Sequence, residues 1–465
     1  MLIGEVVPIA YEYLRTNPLS DERSKYKHVL VDEFQDLNNL EQALVELLVG
    51  PETSVCVIGD DDQSIYAFRF AHPEGIQVFV ADPATEAHEI LTCLRCPPNV
   101  VELANSLIAA DPSRARAPLV AVGSNDAIVA TVQWASLDDE ISGLSGAISG
   151  DIQSSKREPG DFLVLVNRRR IGYRLREALV AIGVPAYSFF QDNALKESRD
   201  AQASLALLRK LVEPSDRPSL RVWLAIGDAQ GRAGAYGRLR VASEAVGLTE
   251  DDFLRDIVEG RRSLNVPALV SRYRDMVGRL DALGPMSVEE LIDDLFPDTE
   301  QDLSLMRELA ELVAQSATTA RELMQGMLAA ITQPEVPQSP DFVRIMSLHK
   351  SKGLTSPVVF IGSAVDGVIP TVRDGADASA VRAAVEEQRR LFYVAITRAS
   401  SELVISGPSV MRAADAYAMR VRVRNTFVRA GVSWARTMPT PYLRELGTTQ
   451  PDPVSGADWL AARSL

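Results

Sequence analysis

Two carboxylates at the end of an apolar run are the first residues in this chain that could do chemistry. Val29-Leu30-Val31-Asp32-Glu33-Phe34-Gln35-Asp36 reads as a strand whose C-terminal end carries Asp32 and Glu33. Open α/β sheets present carboxylates for Mg²⁺–nucleotide chemistry at that position. The first would hold the Mg²⁺ shell, and the second would accept a proton from an attacking water. An Asp-Glu pair alone is more often a capped strand end than a catalytic site. A second polar strand end, Gly59-Asp60-Asp61-Asp62-Gln63-Ser64-Ile65-Tyr66-Ala67-Phe68-Arg69, follows the apolar run at 54–58 and strengthens the reading. The G-x-x-x-x-G-K-[ST] loop that would cradle the phosphates with N–H donors and a lysine does not occur in these residues.

The elements that must position these groups follow from periodicity. An amphipathic helix over 5–16, a strand at 29–31, a helix over 40–48 and a strand at 54–58 form a parallel α/β pattern with polar residues at each strand's C-terminal end. A helix over 100–109 leads into a Pro/Ala/Gly-rich connection at 111–125. A second α/β unit begins with a strand at 130–134, a helix after Asp138 and a strand at 162–166. A helix over 173–182 then stops at Gly183. From about 200 to 335 the apolar spacing is helical with no convincing strand, which reads as a helical insertion. Strands resume at 342–348, 358–361 and 402–405, and the last twenty or so residues read as a poorly ordered tail.

Composition sets the outer bounds. With 465 residues, 46% apolar and 24% charged, the chain describes a globular protein of several domains. No run of eighteen apolar residues and no basic n-region occur, so neither a membrane span nor a signal peptide is expected and a cytoplasmic protein is. Three cysteines exclude a disulfide framework. Cys93-x-x-Cys96 has redox or zinc spacing but lacks further ligands, and two small residues beside a helix start are the blander reading. A net charge of −15 argues against general coating by nucleic acid, though not against a local basic groove. Arginines cluster at 168–170, 232–240, 389–390 and 420–429, each read as a solvated helix face.

Taken together, the motifs resemble a superfamily 1 DNA helicase of the UvrD/Rep type. Beyond the two strand ends, Leu91-Thr92-Cys93-Leu94-Arg95 is similar to the segment that carries an arginine toward the γ-phosphate. Ile345-Met346-Ser347-Leu348-His349-Lys350-Ser351-Lys352-Gly353-Leu354 resembles the fifth helicase motif. Glu387-Gln388-Arg389-Arg390-Leu391-Phe392-Tyr393-Val394-Ala395-Ile396-Thr397-Arg398-Ala399 resembles the sixth, and 162–185 the strand–helix pair opening the second RecA-like domain. The resemblance implies an α/β fold with two RecA-like, P-loop NTPase-type parallel-sheet domains, the first incomplete, and a helical insertion. The implied division is 1–92 for the remnant of the first domain, 93–204 and 337–446 for the second, 205–336 for the insertion and 447–465 for the tail.

The same resemblance implies ATP and Mg²⁺ as cofactors and single-stranded or duplex-junction DNA as partner. Asp32 would hold Mg²⁺, Glu33 would be the base and Gln63 the γ-phosphate sensor. Arg95 and Arg398 would be arginine fingers, with Gly353 at the nucleotide. Tyr66, Phe68 and Arg69, then His349, Lys352 and Thr397, would lie along the DNA strand. Departures stand at Leu94, where an adenine-packing aromatic is usual, at Phe68 in place of tryptophan, and at Thr355 in place of glutamate. A phosphate-binding segment is expected upstream of Met1 or on a partner polypeptide, with little ATP hydrolysis by this chain alone and an exposed apolar sheet edge. The alternatives are a non-hydrolysing DNA-binding or regulatory module on a decayed helicase scaffold and a subunit of a helicase–nuclease or defence complex.

Overall fold

The computed structural model describes residues 6–23, 25–111, 114, 116–190, 198–228, 230, 232–298, 303–332, 340–372, 375 and 377–463. It divides into two compact units, one formed by Met1–Ser188 with Gln338–Leu465, the other by Phe189–Pro337.

The first unit opens with helix α1 (Val6–Thr16) and a two-stranded parallel sheet of β1 (His28–Val31) and β2 (Ser54–Val57), in which Val31 lies beside Val57. Helix α2 (Asn39–Leu47) connects them. Its start is fixed by a capping box, Asn38 accepting from Glu41 N–H while the Glu41 carboxylate takes the Asn38 N–H. Helix α3 (Glu74–Ala81) packs Phe79 edge-on against Phe34, ring centroids 5.3 Å apart. The sheet is thinly covered: Leu30 is 71% and Ile58 51% exposed. A short parallel pair, β3 (Thr92–Cys93) with β4 (Val120–Ala121), flanks α4 (Pro98–Ile108).

The larger sheet contains β5 (Ile128–Trp134), β6 (Phe162–Leu165), β7 (Ala186–Ser188), β8 (Val343–Met346), β9 (Ser356–Ile361) and β10 (Ala399–Pro408). With the short β14 (Val454–Ser455) at one edge, its order is β14-β5-β10-β9-β6-β8-β7, every pairing parallel. Strands buried on both faces read as continuous apolar runs, and Phe162-Leu163-Val164-Leu165 is such a run. Helices α5 (Leu137–Gln153), α6 (Arg169–Ala181) and α7 (Ala378–Ile396) pack on this sheet. Gly183 ends the α6 region at φ +79°, where other residues are strained.

Two expectations fail in the C-terminal part. The arginines at 420–429 are not on a helix: after α8 (Ala413–Ala418) they run into an antiparallel sheet of order β11-β13-β12. Here β11 is Val410–Arg412, β12 Val423–Arg429 and β13 Val432–Thr437. The β12–β13 hairpin turns through Ala430 and Gly431, both at positive φ, the twist that two-residue hairpin turns require. Nor are residues 447–463 a loose tail. Helix α9 (Gly456–Arg463) sets Trp459 against Trp134 and Phe360, centroids 6.0 Å away in each case, and Arg463 pairs with the buried Asp151 and Glu402. Polar-looking composition hid an aromatic and an arginine that each have a partner far back in the sequence.

The second unit shows helices and no strand among its described residues. They are Arg199–Val212, Arg217–Ala225, Ala233–Glu244, Glu250–Val258, Pro267–Leu283, Val288–Leu295, Ser304–Ala314 and Ala320–Thr332. Ser198, Asp216, Thr249 and Ser287 cap four of these starts by accepting backbone N–H groups. Leu208, Leu224, Leu254, Leu269, Phe296 and Met327 lie at its core. The first of these helices begins inside the segment assigned by sequence to the second RecA-like domain, because the apolar period of 201–212 belongs to this core.

Candidate active site

The strand end after β1 is a sharp turn. Glu33 takes the left-handed conformation at φ 53°, unusual for a side chain with a Cβ, and Asp32 Oδ1 accepts the Glu33 N–H at 2.9 Å. The turn brings Gln35 inward, where it is fully buried and ties the two strand ends together. Its Nε2 donates to Glu33 Oε2 (2.5 Å), and its Oε1 accepts the Asp60 N–H (3.0 Å). After β2, Gln63 donates from Nε2 to Asp60 Oδ2 at 2.7 Å. Asp32, Glu33, Gln35, Asp60 and Gln63 are therefore one connected polar cluster at the C-terminal end of the small sheet.

Basic groups from the other side of the unit complete it. Lys352 Nζ donates to Asp36 Oδ2 (2.7 Å) and to the Gln63 carbonyl (3.0 Å), and pairs with Glu33 Oε2 (3.1 Å). Burial raises the Asp36 carboxyl above its ordinary range, and the Lys352 ammonium pulls it partly back. Arg116 pairs with Asp60 and lies 3.6 Å from Asp61, while Arg114 Nε reaches Asp62 at 3.0 Å. Burial, then the neighbouring Asp60, pushes Asp62 up to about 6 against the pull of Arg114. Glu387 Oε1 accepts the Ala67 N–H at 2.8 Å, fixing the segment that carries Tyr66 and Arg69.

Arg398 is only 1% exposed. Its guanidinium donates to the carbonyls of Val394 (2.8 Å) and Leu354 (3.3 Å) and to Thr397 Oγ1 (3.1 Å). Burial, then the nearby Arg95, lowers it to about 10, while Glu33 is among the groups acting in the opposite direction. Arg95 and Leu94 are both exposed. Gly353 is exposed at φ +81°. Cys96 donates to the Thr397 carbonyl at 3.3 Å and hydrogen-bonds Cys93, whose thiol drops to about 5 for that reason first. Both thiols are free, and among the described residues no group of ligands fit to hold a metal by itself occurs.

On the expected DNA side, Tyr66 is half-buried beside His349 (ring centroids 6.5 Å), Arg69 (5.9 Å) and Lys352 (5.4 Å). Burial lowers His349 to about 4. The backbone of Phe68 lies in the short helical turn Ala67–Arg69, and its side chain lies outside the described residues. Two of the residues expected on that side are engaged within the protein. Lys352 has its ammonium bonded to Asp36, Glu33 and the Gln63 carbonyl, and it neutralises Asp36, the more buried of the two carboxylates. Thr397 is buried with its hydroxyl turned back onto the carbonyls of Tyr393 (2.9 Å) and Val394 (3.0 Å). Sequence reading missed Gln35, Arg114 and Arg116 as site residues. Alternating arginines in an otherwise small-residue connection were the one available signal for the last two.

Residues 5–84 match the UvrD/REP helicase N-terminal domain family, and residues 286–409 match the UvrD-like helicase C-terminal domain family. The chain belongs to the UvrD-type superfamily 1 helicases. ATP-dependent DNA helicase UvrD1 of Mycobacterium tuberculosis is 30% identical over 98% of this chain and 63% of the relative. The UvrD1 protein of Mycobacterium leprae is 31% identical over 87% of this chain and 58% of its own length. DNA helicase II of Escherichia coli is 26% identical over 87% of this chain and 59% of its own length. The chain thus spans about three fifths of the curated relatives it matches. No helix among the described residues is long and apolar enough to cross a membrane.

The donor set fits a magnesium nucleotide. Mg²⁺ is usually bound through one or two carboxylates, with water and substrate phosphates supplying the rest. Asp32 offers that: it is exposed, and only its Oδ1 is engaged among the described residues.

Proposed function

We propose that these residues form the Mg²⁺-carboxylate and arginine face of an ATP-driven DNA translocase or helicase of 3′-to-5′ polarity. The polarity is taken from the family resemblance. The observation that carries the reading is the joined cluster Asp32–Glu33–Gln35–Asp60–Gln63, which meets Lys352 and lies within electrostatic range of Arg398. Bound magnesium would neutralise charge on the phosphates and orient them.

The chain's own residues would do the rest. Asp32 would hold the metal. Glu33 accepts the proton of the attacking water, held in place by Gln35 and Lys352. Gln63 transmits the state of the site, since its carbonyl is bonded to Lys352, which packs over Tyr66. Arg398 would reach a phosphate only by releasing its three present acceptors, which couples phosphate contact to a rearrangement between α7 and the segment after β8. The phosphate-binding loop is not among residues 1–465, so the reading is of one face of a site that such a loop completes, in the same polypeptide or from a partner.

The test is DNA-stimulated ATP hydrolysis in protein that also carries a phosphate-binding loop. Glu33→Gln should lower kcat by roughly 100-fold or more with nucleotide affinity retained. An unchanged kcat would remove Glu33 from the chemistry and the reading with it.

A further inference from the structure

The segment 416–444 contains six arginines, no lysine and no carboxylate, in a chain whose net charge is −15. It contains β12 and β13 of the β11-β13-β12 sheet, which none of the helicase motifs includes. Strand register sorts its two faces. Met411 pairs with Ala435, and Ala435 with Thr426. Met411 and Ala435 are buried, so that face looks inward where β11 meets β13, while farther along the hairpin Thr426, Ser433 and Val428 on the same face are exposed. The opposite face carries Arg412 beside Trp434, Trp434 beside Phe427, Arg436 beside Asn425, and Arg429 beside Val432. Arg412, Arg429 and Arg436 are exposed and none is ion-paired among the described residues, while Trp434 and Phe427 are half-buried. Arg436 lies over the Phe427 ring at 5.4 Å.

We propose that this outward face binds single-stranded nucleic acid, with Trp434 and Phe427 as stacking surfaces and Arg412, Arg429 and Arg436 on the phosphates. Bases stack on aromatics whatever their sequence, and guanidinium groups both stack and pair with phosphate. A carboxylate on this face would repel the strand, and the face carries none. Duplex DNA offers no free base faces to a flat sheet, so the occupant is the single strand. The platform deepens the translocase reading, since it would hold a strand away from the motifs that surround Tyr66.

Fluorescence anisotropy of the full chain with a labelled oligothymidine of about 20 nucleotides, titrated at several salt concentrations, tests it. Arg412→Gln with Arg436→Gln should weaken binding about tenfold and reduce the salt slope by about 1.4, roughly 0.7 for each phosphate no longer neutralised. Phe427→Leu should weaken binding about fivefold or more with the slope unchanged. Circular dichroism confirms that each variant is folded. If all these variants bind like the parent while Arg69→Ala weakens binding, the platform is wrong and the translocase reading stands. If the parent chain does not bind oligothymidine at all, both fall.

Discussion

The β1-β2 sheet and the seven-stranded sheet of the first unit are both parallel and are held together in different ways. In the seven-stranded sheet β6 and β8 are covered on both faces, and Phe360 of β9 sits among Phe162, Trp459 and the Arg463 guanidinium. In the small sheet both strands alternate between exposed and half-buried positions. What fixes the small sheet is polar: Gln35 across the strand ends, Lys352 on Asp36 and Glu33, Arg116 on Asp60, Arg114 on Asp62 and Glu387 on the Ala67 amide. Burial builds one sheet, and charge pairing at the site positions the other. The site that would bind a nucleotide is therefore also the joint, and a change in its charges is transmitted directly to how the small sheet is held.

The contrast is widest at single apolar residues. Phe360→Ala should cost about 3–5 kcal/mol in urea unfolding, because a packed aromatic leaves a cavity. Leu30→Ala, at a side chain mostly in water, should stay within about 0.5 kcal/mol. Comparable losses at the two positions would break the distinction. Next in size is Arg463→Met, which leaves Asp151 and Glu402 buried without their cation and should cost about 3 kcal/mol. The loss should appear as faster amide exchange in β5 and β10 with β1 and β2 unaffected. Lys352→Met should cost about 2 kcal/mol, less because Glu33 is partly in water. Its exchange signature should be the reverse, with β1 and β2 opening first. Uniform acceleration across both sheets after Lys352→Met would mean that the small sheet is not held by its charges.

That division also explains what the sequence made legible. Strands such as 162–166 and 358–361 announce themselves because two-sided burial demands an apolar run, and the strand-end carboxylates follow from parallel α/β topology. The β12–β13 hairpin did not, since arginines alternate with valines there and its turn is Ala430-Gly431 rather than Asn-Gly. The C-terminal helix did not either, because Trp459 and Arg463 gain their meaning only from Trp134, Asp151 and Glu402, which lie far from them in the chain. In the site, motif resemblance brought Asp32, Glu33, Gln63 and Arg398 into one list. It could not tell that Lys352 would pair with Asp36 and Glu33, because that depends on how the segment after β8 meets the end of β1.

The smallest expected effect is a pH dependence that separates the two modes of support without removing a residue's volume. Asp62 is held by burial, and then by Asp60, up to about 6, above its ordinary value of 3.8 in the unfolded chain. Between those two values the folded protein holds a proton that the unfolded chain has released. The stability this group contributes is present below about pH 4 and is lost as pH rises through about 6. Asp62→Asn removes that titration while keeping the shape and a hydrogen-bond acceptor for Arg114. The melting temperature of the parent relative to Asp62→Asn should therefore fall between about pH 4 and pH 6 and then level off. A difference that rises over the same interval would mean that the Arg114 pairing outweighs burial, and that the small sheet's charges stabilise it more than its partial desolvation costs.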